Sequence, residues 1–358
     1  MIYQIYGKDA HQMTYQLLEA AKIIDRIPKG GSVALKPNLV IAGTPDSGAT
    51  THPGVLSGCI AYLQDKGVSN ISVIEGSWIG QHSTEQAARV AGYDKVCQKH
   101  NVPFYDLKKD KTTQVKTPIR TMEICDRALK ADFLIDLPVL KGHCQTRMTC
   151  ALKNLKGCIP DREKRRFHTE GLHRPIAALS AALKPHLIIV DNICGDLDFE
   201  EGGNPVWSNR MYLGDDPVQI DAYGCQLMGI PLSDVPYIGM AERWGAGSAK
   251  VEESDIITLN QPDAGVDRPG PRGTVKQLTR WVDQDSACSA CYASLVRALY
   301  ELDRDGYTVR ADVSIGQGFK GKTIKGVGIG ACCAGAEHCA MGCPPTADQV
   351  KKVLEQWG

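Results

Sequence analysis

The chain has 358 residues, enough for one large or two ordinary domains, and its 43% hydrophobic content suits a globular protein with a buried core. Its 41 basic residues are balanced by 41 acidic ones, so it lacks the electrostatic footprint of a nucleic-acid binder, and nucleic acid is not an expected partner. No run approaches the roughly 20 apolar residues that span a bilayer, and residues 1–25 lack the basic start and apolar stretch of a signal peptide. The expectation is a cytoplasmic protein with no membrane partner, whose 14 cysteines are thiols and metal ligands rather than disulfides, as an anaerobic or strongly reducing host would favour.

Residues 1–262 alternate short β-rich runs with helical patterns. That pattern predicts an α/β domain with a Rossmann-like, mostly parallel sheet and helices on both faces. Strands are expected near Ile2–Tyr6, Ser32–Lys36, Asn70–Glu75, Val102–Asp106, Asp132–Leu137, Leu187–Asp191 and Asp255–Leu259. His52-Pro53 opens a helix carrying Val55, Cys59 and Leu63, which Gly67 ends. Further helices are expected near Ser83–Val90, Arg174–Leu183, Asp216–Met228 and Ser233–Trp244. Gln261 to Thr274, rich in Pro, Gly and charge, reads as a linker into a small C-terminal α/β module over 275–358.

In open α/β sheets ligands bind beyond the carboxyl ends of the strands. Here those positions are polar: Lys36 and Asn38, Glu75-Gly76-Ser77, Lys141-Gly142-His143, and Asp191-Asn192. A short helix expected over Thr149 to Gly157 adds Lys153, Asn154 and Lys156, with Lys164-Arg165-Arg166 close behind. Exposed strand-to-helix loops are polar in any case, and Lys164-Arg165-Arg166 reads as a solvated loop. Taken together, the cations, His143 and two carboxylates make this an anion-binding candidate. No Gly-x-Gly-x-x-Gly follows the first strand, so dinucleotide binding by that mechanism is unsupported. Cys144, Cys150 and Cys158 match no cluster spacing and read as buried or reducible thiols.

The C-terminal module carries Cys288 and Cys291 three apart, then Cys332 and Cys333, then Cys339 and Cys343 within Gly342-Cys343-Pro344-Pro345. Four thiolates are the usual ligand set of a [4Fe–4S] cluster, and this spacing points to one. A zinc site held by four thiolates or a redox pair are the alternatives. Ser286 is the expected N-cap of a helix with both Cys288 and Cys291 in its first turn, where the backbone N–H groups favour thiolate. Val309 to Ile315 and Ile324 to Ile329 read as strands, and Thr346 with Gln349 as the capping box of a final helix. Cys333 and Cys339 leave the fourth ligand open.

Lys36-Pro37-Asn38, His52-Pro53, Lys141-Gly142-His143 leading to Ala151-Leu152-Lys153-Asn154-Leu155-Lys156-Gly157, the Asp191 strand, Asp215 to Ala222 and the cysteine tail resemble an uncharacterised family. It is catalogued as domain of unknown function three-six-two, whose members are often joined to iron–sulfur modules. The resemblance implies an α/β domain with an associated cluster, and marks Lys36, Asn38, His143, Lys153, Asn154, Asp191, Asp216 and Asp221 as functional or fold-defining. Relatives with Gly-x-Cys before the terminal Gly-Cys-Pro-Pro favour Cys332 over Cys333. The tail also looks like the Gly-Cys-Pro-Pro cluster loop in the small cluster-carrying subunit of respiratory NADH dehydrogenase.

The leading expectation is an iron–sulfur oxidoreductase. A [4Fe–4S] cluster on Cys288, Cys291, Cys332 and Cys343 would exchange single electrons with an anionic small molecule, supplied by a ferredoxin-like donor. Lys36, Lys141 and Lys153 would neutralise the substrate, with Asn38 and Asn154 beside it. His143 would transfer a proton near neutral pH, oriented by Glu75 or Asp191. The rivals are a non-redox lyase or isomerase with a structural or Lewis-acid cluster, and an electron carrier or metallocluster-handling protein without catalysis. Oligomeric state is not legible.

Overall fold

The computed structural model describes residues 1–79, 83–197, 199, 205–262 and 274–358. Sixteen strands are assigned among them. In chain order they are β1 (Ile2–Tyr6), β2 (Val33–Pro37), β3 (Ile71–Glu75), β4 (Phe104–Asp106), β5 (Thr112–Lys116), β6 (Thr121–Cys125), β7 (Phe133–Leu137) and β8 (Lys141–His143). They continue as β9 (Arg147–Thr149), β10 (Leu187–Asp196), β11 (Pro205–Gly214), β12 (Ile256–Thr258), β13 (Asp283–Gln284), β14 (Val313–Ile315), β15 (Ile324–Ile329) and β16 (Ala336–Ala340).

Eight strands form the main sheet in the order β12-β1-β11-β10-β7-β2-β3-β4. Every neighbouring pair is parallel except the two made by β11, which runs antiparallel to β1 and β10. The sheet is therefore mostly parallel, as expected. All five residues of β2 and of β7 are buried, the pattern of a strand covered on both faces.

Side-chain alternation sorts the strand residues into two cores. Val33 and Leu35 join Leu187 and Ile189 beneath the helices Ala10–Ala20 and Pro53–Asp65. Ala34, Ile188 and Val190 point the other way, toward His173–Ala182, Pro217–Met228 and Pro236–Arg243. Helices thus cover both faces, and the polar side chains left over gather at the strand ends.

Four segments differ from expectation. β11 carries no clear strand signal: its first half opens on Pro205 without regular alternation and is only partly buried, and burial is complete only from Arg210 onward. β5 and β6 form an antiparallel hairpin where the sequence reads as connection, and Lys141–His143 pairs with Arg147–Thr149 as a ribbon rather than a loop. Lys164-Arg165-Arg166 belongs to the helix Asp161–Thr169 and not to a solvated loop, with Lys164 buried.

Residues 275–358 have their own parallel sheet, β13-β14-β15-β16, and a third core built from Leu295, Leu299, Val313, Ile315, Val327, Ile329, Val350 and Leu354. Only Val313–Ile315 of the expected Val309 to Ile315 is strand. The capping box of Thr346 and Gln349 is present. Ser286 is not the N-cap of the long helix Ser289–Arg304: Cys288 holds that position, and Ser286 takes a left-handed turn with φ of 55°. Most of the expected linker, 263–273, lies outside the described residues. Among the described residues no helix is long and apolar enough to cross a membrane.

Candidate functional site

At the carboxyl ends of β2, β3 and β7, a cavity of about 80 Å³ is lined by Lys36, Asn38, Glu75, Lys141, His143, Lys153 and Asn154. The parallel register puts Lys36 beside Asp136 on β7, and Lys36 Nζ pairs with Glu75 Oε2 at 2.8 Å, both side chains buried. Burial alone would lower the Lys36 pKa, but Glu75, with Cys158 and Asp136, outweighs it and holds the value above the ordinary lysine one. Gly157 presses against this pair: a Cβ there would overlap Glu75 Oε1.

A chain of hydrogen bonds fixes the rest of the floor. Lys141 Nζ donates to Asn38 Oδ1 (3.1 Å), Asn38 Nδ2 to Asn154 Oδ1 (2.8 Å), and Asn154 Nδ2 to Asp136 Oδ1 (2.8 Å). Asp136 is fully buried and its pKa is pushed up to about 7 by burial, against the pull of Lys36 and Asn154. Asp221 caps the start of the helix Ala151–Asn154, accepting from the backbone N–H of Ala151 at 2.7 Å, and thereby aims Lys153 and Asn154 into the cavity.

His143 differs from its expected role. Its Nδ1 accepts the backbone N–H groups of Gln145 and Thr146, both at 3.1 Å, which puts the neutral ring's proton on Nε2. Burial, followed by Lys153, Lys156, His168 and Lys141, holds its pKa well below the ordinary value. It therefore does not titrate near neutral pH. Asp191 is also corrected. It does not line the cavity; its carboxylate accepts the backbone N–H groups of His52 (2.7 Å) and Ile193 (3.0 Å), a structural task at the start of the helix Pro53–Asp65.

Lys156, Lys164, His168 and Trp78 also line the cavity. Lys164 donates to the carbonyls of Gly76 (2.8 Å) and Ser77 (3.0 Å), and Lys156 Nζ lies 5.2 Å over the Trp78 ring. The Lys153, Lys156 spacing of three residues is the available signal for Lys156. Nothing local marks Trp78.

The second feature is a cavity of about 280 Å³ into which Cys288, Cys291, Cys332 and Cys343 all face. Cys288 and Cys291 come from the first turn of Ser289–Arg304, Cys332 from a turn after β15, and Cys343 from the loop before the last helix. Cys333 and Cys339 are absent from the lining; Cys333 is buried and turned to the Gly316 carbonyl. Burial and then Cys288, Cys343 and Cys332 push the Cys291 thiol up to about 12, so these sulfurs feel one another and a shared cation would relieve them. Gln317 Nε2 donates to Cys288 Sγ at 3.4 Å. Among the described residues no three His, Cys, Asp or Glu converge tightly enough to hold a single ion, and the four thiols instead frame a space.

Trp78 and His168 line both cavities. Farther along, Gln145 Nε2 donates to the carbonyl of Ala287 at 2.6 Å, tying the ribbon that bears His143 to the residue before Cys288. Cys144 packs against the third core, while Cys150 and Cys158 are buried, their thiol pKa values driven well up by burial.

Among curated proteins the chain is similar to the thylakoid-associated protein sll1697 of Synechocystis sp., 24% identical over 237 residues, covering 63% of this chain and 72% of that protein. Among solved structures it is similar to the lactate racemase apoprotein of Thermoanaerobacterium thermosaccharolyticum, at 14% identity and a TM-score of 0.44 over 64% of this chain. It spans 57% of that protein's length. The model of the family described as Domain of unknown function (DUF362) matches residues 33–226, more than half of the sequence, and the chain belongs to that family.

Proposed function

We propose that this protein is an iron–sulfur oxidoreductase that exchanges single electrons with a small anion bound in the lysine-lined cavity. Four thiols from three separate segments line one cavity, which supplies the ligand number of a cubane cluster. Cys288, Cys291, Cys332 and Cys343 would hold it, and when bound it supplies a one-electron couple.

The chain's own residues do the rest. Lys153 and Lys156 attract the anion. Lys141, held by Asn38 and the Ala49 carbonyl, supplies a fixed positive charge at the floor. The Lys36–Glu75 pair is internally neutral and acts as scaffold. His143 lines the cavity as a neutral imidazole and not as an imidazolium. A one-electron carrier of the ferredoxin type would deliver the electron.

The observation that carries this reading is the shared lining: Trp78 and His168 belong to both cavities. Iron and acid-labile sulfide on anaerobically purified protein test it. About four of each per chain are expected for one cubane, abolished by Cys332→Ala and retained in Cys333→Ala. Stoichiometric zinc without sulfide would refute it.

A further inference from the structure

The loop that follows β14 leans on the residues just before Cys288. Gln317 N–H donates to the Ser286 carbonyl at 3.2 Å, and Gly318 N–H to the Asp285 carbonyl at 3.0 Å. Gly316, at a φ of 131°, lies so close that a Cβ there would overlap the Asp285 carbonyl oxygen. Two backbone bonds and one glycine contact therefore fix where the Gln317 side chain starts. From there Gln317 Nε2 donates to Cys288 Sγ at 3.4 Å, and both residues line the cysteine cavity. Among the described side chains no other donates to Cys288, Cys291, Cys332 or Cys343.

Gly316 to Thr323 also spells the pattern of a phosphate-binding loop, Gly-x-x-x-x-Gly-Lys-Thr. Such a loop opens a helix and turns its backbone N–H groups to the phosphates. Here the strand β15 follows instead, and the N–H groups of Gly318, Lys320 and Lys322 are engaged by the carbonyls of Asp285, Gln317 and Phe319. The loop therefore presents the Gln317 amide to a sulfur, not a cradle of N–H groups to a phosphate.

We propose that Gln317 sets the midpoint potential of the cysteine site, favouring the reduced state through its hydrogen bond to Cys288 Sγ. The proposal rests on the cluster reading above. Reduction brings one electron from a one-electron donor, which is oxidised in turn, and no proton or covalent bond is exchanged. The added negative charge is shared with the thiolate ligands, and hydrogen bonds to the sulfurs are among the features that set such potentials. An N–H donor binds a sulfur more strongly as that sulfur becomes more negative. The bond thus strengthens on reduction, and removing it lowers the midpoint. Gln317 acts through Cys288, so it is a positioning residue and the potential is its readout.

The test compares the parent chain with Gln317→Met and Gln317→Glu, all purified anaerobically. Gln317 is half-buried, so methionine keeps the length of the side chain and loses the donor, and Gln317→Leu is the second variant should methionine fold poorly. Iron and sulfide content, melting temperature and a dithionite titration followed by electron paramagnetic resonance are measured on each. Iron, sulfide and melting temperature of Gln317→Met should match the parent, because the backbone bonds that hold the loop remain. Its midpoint should fall by about tenfold in the one-electron equilibrium, about 59 mV. Gln317→Glu should fall at least as far, since a negative charge replaces the donor.

A methionine variant with the parent's iron, sulfide and potential overturns the proposal. Loss of iron and sulfide in both the methionine and the leucine variants overturns it as well, because Gln317 would then hold the site together and not tune it. A parent chain without iron and sulfide refutes the cluster reading, and the proposal falls with it.

Discussion

Trp78 and His168 meet edge to face, ring centroids 4.8 Å apart at 78°, and this pair forms the partition between the lysine-lined and cysteine-lined cavities. Trp78 follows the end of β3 and His168 lies on the helix Asp161–Thr169. The wall is thus built entirely from the large domain, and the cysteine module closes against it. A small oxyanion on one side and a metal centre on the other would be separated by two aromatic rings, an arrangement in which charge on either side is felt by the other.

The buried pair beneath the cavity should be essential to stability. Lys36→Met leaves Glu75 charged in a dry site, and breaking such a pair from one side costs about 3–5 kcal/mol. Combining it with Glu75→Leu should recover much of the loss. Urea denaturation of the two single variants and the double one checks this. A Lys36→Met variant within about 1 kcal/mol of the parent would show that water reaches the pair.

Gly157→Ala should fail for a different reason. Its methyl group would overlap Glu75 Oε1 and stand 2.6 Å from Lys36 Cε, with both partners fixed by their mutual bond. Overpacking of this kind costs about 1–3 kcal/mol. The expected readout is a lower urea midpoint at unchanged slope, and a neutral substitution would mean the turn Leu155–Cys158 can lift away from the sheet.

Asp136 predicts a pH dependence. Its pKa rises on folding from an ordinary 3.8 to about 7, so its contribution to stability is full below about pH 4 and is lost as pH rises through 7. Asp221, raised to about 8 by burial, acts in the same direction. Asp136→Asn keeps an oxygen to accept from Asn154 and has no proton to lose. Chemical denaturation from pH 5 to pH 8 should show stability falling less steeply in this variant than in the parent. Parallel profiles would mean Asp136 is already ionised at pH 5.

Much of this is legible in the sequence, for identifiable reasons. The parallel strands are short, continuous apolar runs punctuated by glycine and proline, and the expected strands of the main sheet begin within two residues of the observed ones. Lys36, Asn38, Glu75, Lys141 and His143 are reachable because strand-end position predicts convergence, and Lys153 and Asn154 because they lie on the short helix that follows. β11 is hidden by a first half that opens on Pro205 and shows no regular alternation. Asp191 is misplaced because a strand-end carboxylate can serve the cavity or the next helix, and only the three-dimensional course of His52 decides. Trp78 escapes because its contact with His168 is a tertiary one between the end of β3 and a helix, with no periodicity to announce it. The titration of His143 is likewise a property of its neighbours, not of its residue type.

The central claim is that a redox-active cluster and an anion-binding pocket share a wall. An anaerobic redox titration of the whole chain, followed by electron paramagnetic resonance with and without phosphate, tests it most directly. The account predicts a one-electron cluster signal whose midpoint potential falls when phosphate is added. A preparation without labile sulfide, or a midpoint that phosphate leaves unmoved, would contradict it.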